Sequence, residues 1–311
     1  MDADRTQEMH TNKSVRVSMS NGNKPTSNEH YIPRMYLKGF SEIKYKKNKE
    51  NPFIWQYDLY TMEQSTHAVP ITSIGYIKDL CELRNSNNEI VAQNYIEDKL
   101  CLIETRADTV FKSIIQKAQD VDHFIDKPFL SEEEMSVLIL FIAVQMLRDP
   151  ESLEIMCNAS KNLSPGITNH LAKNGVLLKF FSSESNYKSI VKECADLFCG
   201  MAFQIGIGPE DSIITSDRPY AIEKMENESG IKGFKSFSFP ITSRIVLYLY
   251  PLEAVLPQGR NCCFRLDKDR IRDLTVNIAF SAQRWVFSRC PLTDDQIGLI
   301  KTARQLREKS S

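Results

Sequence analysis

The chain has 311 residues, of which 42% are hydrophobic and 25% are charged. It is therefore long enough to bury a substantial core, and its composition excludes a disordered or fibrous protein. Its 39 Lys and Arg residues nearly balance 40 Asp and Glu residues, for a formal net charge of -1. This balance excludes a protein that holds nucleic acid mainly through its net charge, but it is compatible with a local basic patch.

Residues 1–28 are polar and mixed in charge, which predicts a disordered arm without the apolar block of a signal peptide. The longest apolar run, Val137–Leu147, is far shorter than the roughly 20 residues that cross a bilayer. We therefore expect a cytoplasmic protein that has no membrane contact. The eight cysteines lack the paired short spacings of a zinc site, so we expect reduced, buried thiols.

The first half of the chain predicts a hairpin followed by helices. A basic stretch followed by aromatic, alternating residues predicts a small hairpin around residues 40–60. Apolar residues three and four apart predict a helix from Ile90 to about Gln119. Ser131 and Glu134 form a capping-box pattern that opens a helix to about Arg148, closed by Pro150. Further helical patterns lie at 151–162, 166–181 and 184–200.

The last third of the chain changes in character. Short β-rich runs occupy 201–266, and two helices are predicted at 267–288 and 293–309. The predicted fold is α+β, a single domain over residues 29–311. In it, a central helical bundle (90–200) packs with a mainly antiparallel sheet formed from the N-terminal hairpin and the C-terminal third.

The helix over residues 137–148 is apolar around its whole circumference, which predicts burial on all sides. Gln145 and Arg148 lie three residues apart on one face near its C-terminal end. A buried guanidinium needs partners from elsewhere in the chain, because leaving it unpaired is costly. Either Arg148 satisfies the last helical carbonyls and pairs with a structural carboxylate, or the two residues line a polar pocket.

Two further segments offer groups for chemistry. His30 is followed closely by Arg34 and Tyr36, and an imidazole titrates near neutral pH, so it is a candidate general acid or base. The alternative is that His30 anchors the chain by a hydrogen bond. Ser216 and Asp217 follow a predicted strand, where a carboxylate can orient a histidine. Equally, Asp217 can simply stabilise a turn.

These segments carry a resemblance to a known family. The motifs are HYIPRMYLKGF at residues 30–40, IWQYD at 54–58, QMLRDP at 145–150 and TSDRPY at 215–220, with Asn277 and Arg284 later in the chain. In this order they resemble the bacterial family catalogued as domain of unknown function 4238. The resemblance implies that the shared scaffold or site includes His30, Pro33, Gln145, Arg148, Asp217 and Pro219. It implies no reaction, and the sequence departs from it at Arg218, where the family often has Asn.

Several cofactor and metal motifs are missing. The chain has no P-loop, no HExxH and no GxSxG, and Gly206-Ile207-Gly208 precedes Pro209 rather than a dinucleotide-binding helix. Asp217 and the pair Glu223 and Lys224 do not present a metal site, because neighbouring residues on a strand point to opposite faces. We therefore predict neither a metal nor a cofactor.

The enzyme hypothesis assigns His30 as general acid or base, Asp217 as the group that orients it, and Arg148 as an electrostatic clamp. The predicted substrate-binding residues are Arg34, Tyr36, Gln145 and Ser216. Because guanidinium groups match phosphate oxygens, this set predicts a metal-independent nuclease or nucleotide-acting enzyme. A bacterial toxin or phage-defence effector is the biological setting that such a family suggests.

Two alternatives use the same residues. In the first, the polar cluster is a non-catalytic binding module for a nucleotide, a peptide or a phage component, and the hairpin recruits a protein partner. In the second, the cluster is a buried polar network that only fixes the packing of helices onto the sheet. All three hypotheses require His30, Arg148 and Asp217 to lie close together.

Overall fold

The computed structural model describes residues 28–46, 49–92, 94–119, 121, 128–163, 167–181, 198, 200–226 and 232–310. The predicted N-terminal arm lies outside the described residues except at Asn28. The predicted helix at 184–200 also lies outside them except at Phe198 and Gly200. Within the described residues, no helix is both long enough and apolar enough to cross a bilayer.

The helices and short strands of the described chain fall into groups along the sequence. The helices are α1 (Arg34–Leu37), α2 (Tyr95–Ala118), α3 (Glu132–Leu147), α4 (Pro150–Leu163), α5 (Asn169–Phe181), α6 (Lys268–Ser281) and α7 (Asp294–Ser310). The strands before α2 are β1 (Asn28–His30), β2 (Glu42–Lys46), β3 (Lys49–Asp58), β4 (Glu63–Gln64), β5 (Val69–Pro70), β6 (Tyr76–Lys78), β7 (Leu83–Arg84) and β8 (Ile90–Ala92). Those after α5 are β9 (Met201–Ile207), β10 (Thr215–Ser216), β11 (Ala221–Glu226), β12 (Lys232–Pro240), β13 (Ile245–Pro251), β14 (Asn261–Arg265) and β15 (Trp285–Ser288).

The predicted hairpin is confirmed and belongs to a six-stranded sheet. Strands β2 and β3 pair antiparallel. The sheet order is β10-β15-β3-β2, and β4 and β5 also pair with β3. Trp285 lies opposite Asp58, and Val286 lies opposite both Tyr57 and Ser216. The N-terminal hairpin therefore joins strands from the C-terminal third of the chain, which brings residues 216–218 and 283–285 together.

A second, five-stranded sheet has the order β11-β12-β13-β9-β14. Its pairs are antiparallel except for β14 and β9, which are parallel. All five strands come from residues 201–265, and the hairpin contributes none of them. The α+β class is confirmed, but the C-terminal third divides its strands between two sheets where the sequence suggested one. Two-stranded ladders pair β1 with β6 and β7 with β8.

Three element boundaries differ from the sequence predictions. Helix α2 begins at Tyr95, because Ile90–Ala92 pair as a strand instead. Pro150 does not merely close α3: it is the first residue of α4, a position where its missing N–H costs nothing. Helix α6 ends at Ser281 rather than near residue 288, because Ala282 leaves the helical conformation with ψ 140. Residues 285–288 form β15.

Helix α3 is the centre of the helical part. Both hydrogen bonds of the predicted capping box between Ser131 and Glu134 are present. The ring of Phe141 lies 5.3 Å from that of Phe111 on α2 and 6.0 Å from that of Phe239 on β12, both edge-on. These contacts bury the apolar surface of α3 between α2 and the five-stranded sheet, as its sequence predicted.

The cysteines of the described residues are free thiols. Cys81, Cys262 and Cys263 are buried, as expected for thiols in a core. Cys101 and Cys290 are exposed, which the sequence did not predict.

Candidate functional site

The predicted pair on α3 forms as expected and is fully engaged with the rest of the protein. Arg148 is buried, and its Nε donates to Gln145 Oε1 at 3.1 Å. Gln145 Nε2 donates to the backbone oxygen of Tyr31 at 2.7 Å. Arg148 Nη1 donates to Glu104 of α2 at 2.8 Å. This chain of bonds ties the segment after β1 to the end of α3 and to α2.

Asp217 binds backbone rather than a histidine. Its carboxylate accepts hydrogen bonds from the backbone N–H groups of Gln283 at 2.8 Å, Arg284 at 2.7 Å and Trp285 at 2.9 Å. Burial raises the pKa of Asp217, and the three N–H donors oppose that effect because they favour the charged form. These bonds hold the chain between α6 and β15, so the predicted role of orienting His30 is replaced by a turn-stabilising one.

A second ion-pair network lies beside Asp217. Arg218 Nη2 donates to Asp149 Oδ2 at 3.0 Å and also contacts Glu151. Gln283 Nε2 donates to Asp149 Oδ1 at 3.0 Å. Asp149 is buried, so these two donors supply the partners that a buried carboxylate requires. Arg218 therefore forms ion pairs at a position where the family that the sequence resembles often has Asn.

His30 differs from the other predicted site residues because its ring has unused bonding capacity. It is half-buried, and the imidazole lies 5.7 Å from the ring of Tyr76. Its Nε2 is buried and has no hydrogen-bond partner among the described residues. Burial, together with the positive charges of Arg34 and Arg148, lowers the pKa of His30 to about 4. The imidazole is therefore neutral at pH 7.

Arg34 and Tyr31 lie on the more accessible side of this site. Arg34 is exposed, and within the described parts of the chain its guanidinium makes no salt bridge. Burial raises the pKa of the partly exposed Tyr31, and the negative charges of Asp217 and Asp149 act in the same direction. We call the group His30, Tyr31, Arg34, Gln145 and Arg148 the His30 junction.

Two predicted substrate-binding residues lie inside the protein. Tyr36 is 1% exposed, and its hydroxyl is 2.7 Å from Thr215 Oγ1 within the core. Ser216 is fully buried, and its Oγ donates to the backbone oxygen of Arg218 at 2.5 Å. Neither side chain is accessible to a substrate in this arrangement, so both are assigned to packing.

Sequence reasoning missed several charged residues of this region. Asp149 and Glu104 supply the carboxylates that the buried arginines require, and Asp149 could have been found because it directly follows Arg148. Glu29 precedes His30 and is 1% exposed. Burial raises the pKa of Glu29 to about 7, while its bond from the backbone N–H of Cys81 opposes the shift.

The described residues contain no group of three or more His, Cys, Asp or Glu arranged to hold a metal ion. The charged group that remains open to a ligand in the His30 junction is the guanidinium of Arg34. Since guanidinium groups bind oxyanions, the ligand chemistry that this junction fits is that of a phosphate or carboxylate.

The fold and the site together describe an α+β protein in which two networks of polar side chains, around Arg148 and around Asp149, lie at the end of α3. A family model described as protein of unknown function (DUF4238) matches residues 28–290, which is most of the chain. The chain therefore belongs to this family, which is the one that its sequence resembles. Comparisons with curated proteins and with solved structures give no match.

Proposed function

We propose that the protein binds a phosphate-bearing ligand, a nucleotide or a nucleic acid, at the His30 junction. Without a metal, it cleaves or transfers at a phosphodiester bond of the nucleic acid or at a phosphate ester or anhydride bond of the nucleotide. The observation that carries this proposal is the unpartnered Nε2 of His30, close to the guanidinium groups of Arg34 and Arg148. A neutral imidazole beside two fixed positive charges suits a reaction in which negative charge develops on phosphate oxygens.

Each residue of the junction has a separate task in this proposal. Arg34, which is exposed, binds the incoming phosphate, and the buried Arg148, whose Nε and Nη1 bind Gln145 and Glu104, contributes its positive charge. His30 accepts the proton of the attacking hydroxyl or water and returns it to the leaving oxygen. Gln145 holds the backbone of Tyr31 rather than the substrate.

The charge of the ligand changes the pKa of the His30 imidazole. The negative charge of a bound phosphate offsets the positive charges of Arg34 and Arg148, so the pKa of His30 rises above its value of about 4, while burial continues to lower it. Because the complex then binds a proton that the free protein does not, affinity for the ligand increases as the pH falls through the raised pKa. Asp217 has no part in this step, since its hydrogen bonds go to backbone N–H groups.

The direct test is to incubate the purified full chain with RNA, single-stranded DNA, duplex DNA and nucleotides, with and without a chelator. We expect product formation that the chelator leaves unchanged. His30→Gln is expected to abolish it, and Arg34→Ala to reduce it by at least about tenfold, the effect typical of a lost charged contact. His67→Gln is the matched control, because His67 is an exposed histidine that contacts Thr66.

The melting temperature of each variant separates chemistry from folding. Full activity in a folded His30→Gln variant would overturn the assignment of His30. Inactivity of the parent protein on all these substrates, together with no binding of any of them, would overturn the proposal as a whole.

A non-catalytic binding module is the second candidate, and the low pKa of His30 favours it. An imidazole with a pKa of about 4 is a weak base, yet it still accepts a hydrogen bond from a ligand. Binding by the parent protein without turnover, lost in Arg34→Ala, would favour this candidate.

The biological setting that we propose is a bacterial toxin or a phage-defence effector, in which the protein acts with a partner encoded nearby. This rests on the kind of family to which the chain belongs and on no single residue. Toxicity of the expressed parent, absent in His30→Gln, would support an effector. Survival of cells that express high levels of active parent protein would count against a toxin.

A further inference from the structure

A cluster of aromatic and cationic side chains lies on a surface that the His30 junction does not use. Tyr60 is 64% exposed, unusually so for an aromatic residue next to a sheet. The guanidinium of Arg284 lies 5.3 Å from the Tyr60 ring and 4.6 Å from the Trp285 ring. The guanidinium of Arg304 on α7 lies 5.9 Å from the Tyr60 ring. With Lys301, we call this group the Tyr60 surface.

The Tyr60 surface is held in place by the six-stranded sheet. Asp58 Oδ1 accepts from the backbone N–H of Tyr60 at 2.8 Å, and its Oδ2 accepts from Nη2 of Arg284 at 2.8 Å. The backbone N–H of Leu59 donates to the carbonyl of Arg284 at 2.8 Å. One buried carboxylate thus fixes the backbone at Tyr60 and the guanidinium of Arg284, so the arginine has little side-chain freedom left to lose on binding.

A cleft of about 410 Å³ opens beside the Tyr60 ring, between the turn after β3 and helix α7. It is lined by Leu59, Tyr60, Met62, Lys301, Arg304, Gln305 and Glu308. This volume accommodates a planar heterocycle with its sugar. Arg284 forms an ion pair with Asp58, and Arg304 forms one with Glu308. With Lys301 as the third cation, the local charge is only weakly positive. Flat contact area, rather than charge, is therefore the main source of binding free energy on this surface.

We propose that the Tyr60 surface binds single-stranded nucleic acid by stacking an unpaired base on the ring of Tyr60. Proteins that bind single strands combine aromatic platforms with cations that follow the backbone, and arginine adds a cation–π contribution. A duplex cannot offer an unpaired base to a ring. The inference deepens the proposed function, on which it rests for the ligand class, by naming a single strand as the form bound.

The Tyr60 surface is connected to Asp217 through one short segment. Residues 283–285 donate three backbone hydrogen bonds to Asp217 and also carry the Arg284 and Trp285 side chains of the Tyr60 surface. Asp217 therefore positions part of the Tyr60 surface although it does not belong to it.

The experiment measures fluorescence anisotropy of a labelled single strand of about 12 nucleotides, a length within the range of known sites, with the full chain. Duplex of the same sequence and inorganic polyphosphate are the competitors. Tyr60→Ala is expected to weaken binding about tenfold, and Tyr60→Phe to leave it unchanged, because stacking needs the ring but not the hydroxyl. Arg272→Ala is the charge control, since Arg272 is an exposed arginine paired with Asp295.

Each result supports or overturns the inference. Binding that polyphosphate displaces as well as the single strand does, or that a folded Tyr60→Ala variant retains, would overturn it. Turnover of nucleotides with no strand binding would overturn the Tyr60 surface and leave the proposed function standing. Strand binding lost in Tyr60→Ala but unaffected by Arg34→Ala, with no turnover, would support the surface and contradict the proposed reaction. If Tyr60→Ala fails to fold, Tyr60→Leu is measured instead, with the same expectation, because leucine keeps apolar bulk but removes the ring.

Discussion

Arg148 and Arg34 both lie in the His30 junction, and both act on the pKa of the same histidine, yet their environments differ. Arg148 is buried and spends two of its three guanidinium nitrogens on Gln145 and Glu104. Arg34 is exposed and has no salt bridge within the described residues. A polar group whose bonding capacity is used inside the protein holds the fold together, whereas one with capacity left over is available to a ligand.

Among the residues that hold the fold together, the largest loss of stability on mutation is expected at Asp217. Asp217→Ala leaves three partly buried N–H groups of residues 283–285 without an acceptor, which should lower the free energy of unfolding by about 3–5 kcal/mol. Urea denaturation measures this change. Asp269→Ala, at an exposed carboxylate on α6, is the control and should change stability by less than about 1 kcal/mol. A loss below about 1 kcal/mol at Asp217 would contradict its structural role.

A smaller loss is expected at Arg148. Arg148→Met removes the partner of Glu104 and one bond to Gln145, and should cost about 2–4 kcal/mol of stability because a partly buried carboxylate is left unpaired. Adding Glu104→Gln should recover about 1–2 kcal/mol, since the unpaired charge is then removed. A double-mutant cycle in urea measures this coupling. Additive losses would mean that the ion pair contributes little to folding.

The pH dependence of stability tests His30 next. The pKa of His30 is about 4 in the folded protein against 6.5 ordinarily, so the unfolded chain binds a proton that the folded one does not. The contribution of the neutral His30 to stability is fully present above pH 6.5 and is lost as the pH falls from 6.5 toward 4. We expect a loss of about 1–2 kcal/mol for this half-buried group, absent in His30→Gln. Parallel curves for the two proteins would contradict the shift.

The titration of Glu29 changes stability with pH in the direction opposite to that of His30. Its pKa is about 7 in the folded protein against 4.5 ordinarily, so the folded chain binds the extra proton and stability is lost as the pH rises from 4.5 to 7. Glu29→Gln should remove this slope, measured by thermal unfolding across the same pH range. A variant whose stability still falls over that range would show that another group is responsible.

The smallest effect on stability is expected at Arg34. Arg34→Ala should change the free energy of unfolding by no more than about 0.5 kcal/mol, because the exposed side chain has no salt bridge to lose. The same variant should lose binding of phosphate-bearing ligands, measured by calorimetry. A clear loss of stability would mean that Arg34, like Arg148, holds the fold together.

Local patterns predicted local structure well. The capping box at Ser131 forms, and Gln145 and Arg148 meet because residues three apart on a helix are neighbours. The hairpin around residues 40–60 forms because its alternation suits a half-buried strand. The helix predicted to reach residue 288 stops at Ser281, because strand pairing with β3 and the bonds to Asp217 outweigh helical periodicity there.

The amino-acid sequence alone determined which segments are helical or extended, which helix is buried, and which polar residues needed partners, since these follow from side-chain periodicity and from the free-energy cost of burying charge. The tertiary structure decided which partners those residues found. Glu104 reaches Arg148 only through the packing of α2 on α3, and Asp217 meets residues 283–285 only because β15 lies between β3 and β10. Such contacts join residues far apart in the chain, and the pattern of residue types along the sequence does not give their distance in space.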